Sequence, residues 1–454
     1  MSRLSRQVAP PTSHVGSCVG QGNYQFIHVV ALNPVPQEPK DRFEVYRYFD
    51  GISEESREVR ANVRGRVPMV KTFLLEHVSA YGNRPQKSVE LIFSMLRCEL
   101  HRVDESFWVV RAPVVHLAGG SPAMDVVGYL ETYDARFFAF YTVERADVAR
   151  KRVHQWITHS PDLDSTWFSS QLLQVLWNKD VQHRGDSRFG KLVFKYDSIF
   201  EMPDDTVEAD DDDELTDEEM EDSERSEDQV ETERRSARFE MGDRIGRIRK
   251  SLKVLQDEYD PLHALYSLRF PSQTGIGCHD LYQHGQITNR AGGFLDHRNT
   301  VRYFYQVYNT VLNETEGVAW ASNEQKSSSG PSMRLKGVPL MVRFSEPLNE
   351  ATFNRWVSLA FQKRNRFRLW GEPIRLGPTK VHAYGADRHL WQPINLEMTE
   401  RGLTAILPQG TCGNTFHRLV TNIQRFVSPK VEAWVGSRRF VDLLTSMPAP
   451  ESIR

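Results

Sequence analysis

One strongly acidic stretch divides this 454-residue chain and limits how the rest of it can fold. Between Glu201 and Glu233 there are 19 acidic residues and a single basic one, Arg225. Like charges at this density repel one another and bury little apolar surface, so we expect residues 201–238 to form a disordered acidic linker. Globular structure must therefore be built from the residues on either side.

The acidic stretch also hides the charge of the remaining chain. The whole sequence has 57 Lys and Arg against 60 Asp and Glu, which gives a formal net charge of −3. Outside the stretch, 56 basic residues face 41 acidic ones, so the remainder carries about +15. A surface of that charge attracts polyanions. The acidic stretch is then either a solubilising linker or a segment that folds back over a basic face and weakens non-specific binding.

Composition excludes several classes of protein. Aromatic residues make up 11% of the chain, which is ample for hydrophobic cores. We expect no membrane partner, because no stretch approaches the roughly 18 apolar residues of a membrane helix and residues 1–11 lack a signal-peptide core. The four cysteines are widely spaced, so we expect a reducing, cytoplasmic compartment without disulfides: Cys18, Cys98, Cys278 and Cys412.

Hydrophobic patterning predicts an α+β, multidomain chain. The predicted segments are a flexible arm (1–20), an α+β domain with an antiparallel sheet (21–200), the acidic linker (201–238), a helical hairpin with a long inserted loop (239–322), a second linker (323–337), a ferredoxin-like domain (338–445) and a tail (446–454). In the first domain, residues 42–49 have the aromatic and β-branched content of a strand. Residues 107–117, 125–133 and 137–143 predict an antiparallel meander.

Two segments after the acidic linker show helical periodicity. Apolar residues recur every three or four positions from Ile245 to Tyr266 and from Val301 to Val318. Such stripes need a partner helix, which predicts a hairpin of the two or a coiled coil that joins protomers. The connection over residues 269–296 is long, and loops of this length are usually functional or disordered. If the protein is an interaction adaptor, this loop or the acidic linker is the docking segment for a protein partner.

The last domain has the simplest pattern. Predicted strands at 338–344, 380–384, 394–399, 403–407 and 431–435 surround helices at 351–362 and 415–427. This is close to the βαββαβ order of the ferredoxin-like arrangement. That fold hosts many functions, so it assigns none by itself.

A glycine-containing turn before the second of these helices predicts a phosphate site. Glycines permit close backbone approach, and a helix N-terminus presents unpaired N–H groups. The candidate phosphate-binding residues are Gly410, Thr411, Gly413, Asn414, Thr415, His417 and Arg418. The alternative is an ordinary turn in which Asn414 or Thr415 caps the helix.

A basic and aromatic segment after the first helix predicts nucleic-acid contacts. Cations neutralise phosphates, and aromatic rings stack on unpaired bases. The candidate nucleic-acid-binding residues are Lys363, Arg364, Arg366, Arg368 and Trp370. The alternative is that the aromatic residues turn inward and the arginines are simply solvated.

The 269–296 connection and the residues just after it contain side chains that often bind metals, namely Cys278, His279, Asp280, His284 and His297. Their spacing matches no tetrahedral zinc pattern, so we expect no metal site. Arg290 and His297 have the spacing of a ribonuclease motif that requires a helix, and the glycines between them argue against one.

The sequence contains no catalytic signature and indicates no cofactor. We expect a non-enzymatic, intracellular protein that binds nucleic acid, or a nucleic-acid-bound assembly, with low specificity through its C-terminal domain. A protein-interaction adaptor is the first alternative. A hydrolase or nuclease that uses His417 with Arg418, or the residues of 278–297, is the second.

Overall fold

The computed structural model describes ten stretches of the chain. They are residues 35–62, 68–78, 87–114, 123–181, 185–202, 236–272, 277–290, 292–325, 333–362 and 366–445. The predicted flexible arm, most of the acidic linker and the predicted tail lie outside these stretches. Two of the predicted nucleic-acid-binding residues, Lys363 and Arg364, also lie outside them.

An antiparallel sheet of eleven strands occupies the first part of the fold. Its strands are β1 (Lys71–His77), β2 (Glu99–Asp104), β3 (Phe107–Val114), β4 (Ala123–Thr132), β5 (Phe137–Thr142), β6 (Leu163–Ser165), β7 (Phe189–Tyr196), β8 (Ala237–Arg244), β9 (Leu265–Pro271), β10 (Cys278–Tyr282) and β11 (Gln286–Asn289). They lie in the order β2-β3-β4-β5-β1-β11-β10-β9-β7-β8, and β6 pairs with β1.

Helices cover both faces of this first sheet. They are α1 (Arg42–Asn62), α2 (Val89–Met95), α3 (Ala146–His159), α4 (Ser170–Leu176, followed by a π-helical turn at Trp177–Val181), α5 (Ile245–Glu258, followed by a 3₁₀ turn at Asp260–His263) and α6 (Phe294–Ala319). Phe93 of α2 and Trp156 of α3 pack on one face, and α1 and α6 pack on the other. Because both faces are covered, all six residues of β5 are buried.

The predicted meander is confirmed, because β3, β4 and β5 pair antiparallel in sequence. The predicted strand at 42–49 is wrong, since these residues begin α1. Val45, Phe49 and Ile52 fall on one side of that helix and are buried. Tertiary burial at helical spacing therefore outweighs the β propensity of the aromatic residues.

The first sheet continues across the acidic linker. Strands β7 and β8 flank it and pair along their whole lengths, from Phe189 opposite Arg244 to Tyr196 opposite Ala237. Strand β1, from the predicted N-terminal domain, pairs with β11, from the predicted hairpin region. The predicted boundary between 21–200 and 239–322 therefore falls inside one sheet.

The predicted helical hairpin is wrong. Strands β9, β10 and β11 lie between α5 and α6 in the chain, so strands of the first sheet separate the two helices. The apolar stripe of α6, including Val301, Phe304 and Val311, is buried in the main core rather than against α5. A tight turn joins β10 to β11 at Gly285, where φ is +77° and a Cβ would lie 2.1 Å from Thr166 Oγ1. Twelve residues of the long inserted loop lie in strands of the first sheet, and the coiled coil remains a prediction.

A second antiparallel sheet of seven strands lies in the C-terminal part. Its strands are β14 (Leu340–Phe344), β15 (Leu369–Gly377), β16 (Lys380–Asp387), β17 (Gln392–Thr399), β18 (Gly402–Ile406), β19 (Val431–Val435) and β20 (Arg438–Arg439). Its helices are α7 (Glu350–Ala360), α8 (Asn414–Phe426) and α9 (Phe440–Thr445). A separate hairpin, β12 (Ser322–Gln325) and β13 (Met333–Lys336), precedes it.

The strand order of the second sheet is β15-β16-β17-β18-β14-β19-β20. Without the β15–β16 hairpin, its elements follow the predicted βαββαβ order: β14, α7, β17, β18, α8 and β19. The added hairpin places β15 at the edge of the sheet. The α+β architecture is confirmed, and the ferredoxin-like assignment remains a prediction.

One hydrophobic core joins the two sheets. Phe137 of β5, Tyr308 of α6 and Phe416 of α8 belong to the same buried cluster, as do Leu340 and Val342 on the inner face of the second sheet. Among the described residues, no helix combines the length and apolar character required to cross a bilayer.

Candidate nucleic-acid interface

The predicted phosphate site at the start of α8 is inside the protein. Gly410 is half-buried in a turn where its φ is +83°. The other six predicted residues are buried: Thr411, Gly413, Asn414, Thr415, His417 and Arg418. The Arg418 side chain has no exposed surface, so a phosphate in solvent could not reach it without a local opening of the fold.

The protein's own carboxylates already accept the donors of this site. The backbone N–H of Gly413 donates to Glu316 Oε1 at 2.7 Å. Arg418 donates to Asp164 Oδ2 at 2.7 Å and also to Asp387. The helix N-terminus therefore binds anions as predicted from its dipole, but these anions are side chains from elsewhere in the fold. The geometry does not favour an exchangeable phosphate at this position.

A second set of buried charged side chains lies next to the ion pairs of Arg418. Arg136 donates to Glu76 Oε1 at 2.6 Å and to both Glu316 oxygens at 2.7 and 3.0 Å. We refer to Glu76, Arg136, Asp164, Glu316, Asp387 and Arg418 together as the ion hub. Its members come from both sheets and from α6 and α8. Because buried charges require well-placed partners, the hub fixes how the two sheets face each other.

Burial and pairing have opposite effects on the hub carboxyls. Burial raises the pKa of Asp387, but the charges of Arg418 and His389 and the hydrogen bonds from Thr415 and the Leu390 backbone together outweigh it, and the pKa lies below the usual value. Burial raises the pKa of Glu76, and the opposing charge of Arg136 does not offset this. The Asp387–Arg418 pair is therefore ionised at neutral pH.

Two residues that could serve a hydrolase are held in unreactive states. Burial, reinforced by the charge of Glu76, raises the pKa of the Cys412 thiol well above normal. Burial lowers the pKa of His417 to about 3, and neither ring nitrogen has a hydrogen-bond partner among the described residues. A neutral, buried imidazole among the rings of Tyr308 and Phe440 cannot receive a proton from a substrate.

The described residues of the predicted basic segment separate into different environments. Arg368 is largely buried and approaches Asp164 of the ion hub at 3.5 Å. Arg366 lies over the ring of Phe426, 5.3 Å from its centroid. Trp370 is 61% exposed on edge strand β15. Of these three residues, only Trp370 is exposed enough to be available to a ligand.

The side chains of 278–297 that often bind metals also lie in different environments. His279 and His297 share a hydrogen bond between their Nδ1 atoms at 3.2 Å, and His279 Nε2 lies 3.0 Å from Asp296. His297 Nε2 meets Thr72 Oγ1 at 2.7 Å, and both histidines are fully buried. No metal-binding group of three or more such side chains occurs in the described part of the chain. Arg290 precedes α6 and does not share a helix with His297, as the glycines predicted.

Strands β7 to β10 form a basic groove that sequence reasoning did not find. It is a shallow cleft on the first sheet that is partly open to solvent. Its lining residues are Lys191, Val193, Lys195, Arg238, Tyr266, Ser267, Leu268, Arg269, Asp280, Tyr282 and Arg290. Five of them are cations and one is a carboxylate, and we call this cleft the basic groove.

Strand alternation brings the cations of the groove to one face. Lys191 and Lys195 lie two pleats apart on β7, whereas Leu192 and Phe194 between them point into the core. Lys195 lies opposite Arg238 on β8, and Arg269 lies opposite Asp280 on the β9–β10 pair.

Carboxylates in and near the groove form ion pairs with several of its cations. Arg269 binds both oxygens of Asp280 at 2.7 and 3.0 Å, and Arg290 binds the same carboxylate at 2.7 Å. Burial raises the pKa of Asp280, but the two guanidinium groups outweigh it and bring the pKa below normal. Outside the lining, Glu240 pairs with Lys191 at 2.6 Å. Asp197 lies 3.8 Å from Lys195.

A chain of cation–ring contacts links the groove to the predicted basic segment. Lys195 and Arg425 both approach the ring of Tyr266, at 5.9 and 5.2 Å. Arg425 and Arg366 both approach the ring of Phe426, at 5.0 and 5.3 Å. Arg425 also donates to Asp197 Oδ2 at 2.8 Å and is only 6% exposed, so these contacts connect the groove to α8 through packed rings rather than through open positive charge.

The sequence that forms both sheets matches one family of known proteins. A family model described as MJECL33-like protein matches residues 40–440. The chain belongs to the MJECL33-like family. Uncharacterized protein MJECL33 from Methanocaldococcus jannaschii is 28% identical over 88 residues, which are 19% of this chain and 21% of that protein. No solved structure matches the chain. The MJECL33-like match includes both sheets, the ion hub and the basic groove.

Proposed function

We propose that this MJECL33-like protein binds nucleic acid with little sequence preference, through the basic groove of its first sheet. The observation that carries the proposal is the convergence of Lys191, Lys195, Arg238, Arg269 and Arg290 on one concave face. A cleft lined by one sign of charge concentrates the field and attracts phosphate groups.

The depth of the cations supports phosphate binding rather than a merely solvated surface. The side chain of Lys195 is 15% exposed and that of Arg269 is 17% exposed, so both sit on the floor of the cleft. Electrostatic attraction is stronger where solvent is partly excluded. Asp280 holds Arg269 and Arg290 in fixed directions, which lowers the ordering cost of a phosphate contact.

Low sequence preference follows from the kind of group in the groove. Lysine and arginine contacts to phosphates fix the position of a nucleic acid but do not distinguish its bases. A binding role is also favoured over catalysis, because the candidate catalytic groups Cys412 and His417 are buried and unreactive.

The test is the affinity of the full chain for a fluorescent oligonucleotide at several salt concentrations, measured by anisotropy. The variant Lys191→Gln/Lys195→Gln/Arg238→Gln removes three cations but leaves the buried Arg269–Asp280–Arg290 cluster intact. We expect weaker binding for every oligonucleotide sequence, and a salt dependence whose log–log slope falls by about one for each lost contact.

The matched control is Lys151→Gln/Lys250→Gln/Lys253→Gln. These lysines are exposed on α3 and α5 and do not line the groove. Equal losses in the two triple variants would show that only net charge matters, and would overturn the proposal. Competition by polyglutamate as effective as that by nucleic acid would also overturn it, in favour of an acidic protein ligand.

A further inference from the structure

One buried guanidinium of the ion hub is shared by two carboxyl groups. Arg136 donates through Nε to Glu76 Oε1 at 2.6 Å, and through its two Nη atoms to both oxygens of Glu316 at 2.7 and 3.0 Å. All three side chains are buried. Two carboxylates beside a single buried cation repel each other, which favours a proton on one of them.

The other donors in the hub favour an ionised Glu316. The backbone N–H of Gly413 donates to Glu316 Oε1 at 2.7 Å, so both oxygens of this carboxylate have partners. Glu76 Oε1 accepts from Arg136 and, at 3.1 Å, from the Cys412 thiol, whereas Glu76 Oε2 has no hydrogen-bond partner in the described part of the chain. Burying a charged oxygen without a donor is far less favourable than burying a neutral carboxyl group.

The second shared guanidinium shows what two ionised carboxylates require. Arg418 donates to Asp164 and Asp387, and each carboxylate accepts further hydrogen bonds. Asp387 Oδ1 accepts from two backbone N–H groups at 3.0 and 3.1 Å. Asp164 accepts from a backbone N–H at 2.8 Å and from the amide of Asn414 at 3.2 Å. Among the described residues, Glu76 accepts only from a guanidinium and from a thiol, which is a weak donor.

The Glu76 carboxyl faces charged or titratable groups from each element packed beside it. They are Arg136 before β5, Asp164 on β6, Tyr308 and Glu316 on α6, and Cys412 before α8. Arg136 is the cation of this set. Burial, with a smaller contribution from the charge of Glu316, raises the pKa of Glu76 above its ordinary value although Arg136 opposes the shift.

We propose that Glu76 carries a proton in the folded protein at neutral pH, and that the junction of the two sheets weakens as the pH rises and this proton becomes harder to retain. The unfolded chain ionises Glu76 near its ordinary pKa of 4.5. The contribution to folding is therefore fully present below that pH and declines as the pH rises towards the pKa of the folded state. The proposal does not depend on nucleic-acid binding.

The test compares the full chain with Glu76→Gln, because glutamine is neutral and has the shape of a protonated glutamate. Urea unfolding of both proteins is measured at intervals from pH 5.5 to pH 8. The unfolding equilibrium constant of the parent should rise about tenfold per pH unit relative to that of the variant, for as long as folded Glu76 keeps its proton. An infrared difference spectrum, parent minus variant at pH 7, should contain the carbonyl band of a protonated carboxylic acid.

Two control variants separate this proton from other effects. Glu105→Gln removes an exposed carboxylate and should keep the parental pH dependence. Glu316→Gln removes the carboxylate that is ionised in this scheme, so it should raise the unfolding equilibrium constant at pH 7 at least about tenfold, whereas Glu76→Gln should not raise it.

Three results would overturn the proposal. The first is a ratio of the parent and Glu76→Gln unfolding constants that is already constant below pH 7, together with no carboxylic acid band. The second is a Glu76→Gln protein that does not fold, since a neutral residue of the same shape must be tolerated if the native side chain is neutral. The third is a Glu316→Gln protein that is more stable than Glu76→Gln at pH 7, which would place the proton on Glu316.

Discussion

Replacing His417 with leucine should remove part of the acid sensitivity of this protein. His417 is 1% exposed and lies among Tyr308, Phe416 and Phe440. Neither of its ring nitrogens has a hydrogen-bond partner in the described part of the chain. The folded protein therefore keeps the ring neutral, whereas the unfolded chain protonates it below its ordinary pKa. Leucine has a similar volume and needs no hydrogen bond.

The magnitude follows from the two pKa values. Burial lowers the pKa of His417 from 6.5 to about 3 in the folded state. The contribution of the neutral ring to the free energy of unfolding is fully present above the pKa of the unfolded state. It is lost as the pH falls towards the pKa of the folded state. Each pKa unit corresponds to about 1.4 kcal/mol, so the full loss is about 5 kcal/mol, of which about 2 kcal/mol falls between pH 7 and pH 5.

Urea unfolding of the parent and of His417→Leu at these two pH values measures the effect. The parent should lose about 2 kcal/mol more than the variant on acidification. At pH 7 the variant should equal or exceed the parent, because an unsatisfied buried polar group costs about 1–3 kcal/mol. The control is His101→Leu, whose exposed ring should leave the parental pH dependence intact. Identical pH dependence in parent and His417→Leu would refute the reasoning.

Two other results are expected. Arg418→Met should lower the free energy of unfolding, measured in urea, by about 3–5 kcal/mol, because it leaves Asp164 and Asp387 buried without their shared partner. The control is Arg439→Met, which breaks an exposed pair with Asp442 and should change the free energy of unfolding by less than about 1 kcal/mol. Deleting residues 201–233 should tighten oligonucleotide binding severalfold at low salt and much less at high salt, because the deletion removes 19 acidic residues from the segment whose ends lead into β7 and β8, two strands of the basic groove. An equal gain at both salt concentrations would contradict an electrostatic origin.

Several elements could be predicted from the sequence because local pattern and burial agree. The meander of β3 to β5 has continuous aromatic and β-branched runs, and its strands are covered on both faces. Helix α8 has its apolar residues at helical spacing, and both its bounds lie within one residue of those predicted. In these segments each local preference points to the observed structure.

Strand β11 could not be predicted, because its burial is not written as hydrophobicity. Gln286, Thr288 and Asn289 are buried although they are polar. The Gln286 amide donates to Thr288 Oγ1, and the Asn289 amide donates to Ser53 Oγ and to the Gly292 carbonyl. The apolar stripes of α5 and α6 indicate helices but do not say whether the partner is a helix or a sheet. The predicted hairpin failed for that reason.

The same limit applies to the candidate sites. The start of α8 binds anions as its local chemistry predicts, but only the tertiary fold reveals that Asp164, Glu316 and Asp387 are those anions. The cations of the basic groove come from three strands and a loop, and are spread over about a hundred residues. A partial signal was present in Lys191 and Lys195, which alternate with the core residues of β7.

The pairing of β7 with β8 means that the acidic stretch begins and ends on adjacent strands. A proteolytic nick within 203–235 would leave two fragments, and β1, β7 and Arg136 of the first would still engage β11, β8 and Glu316 of the second. The cleaved protein should therefore migrate as one particle until it is denatured. Co-expression of the two halves as separate polypeptides should reconstitute the same fold.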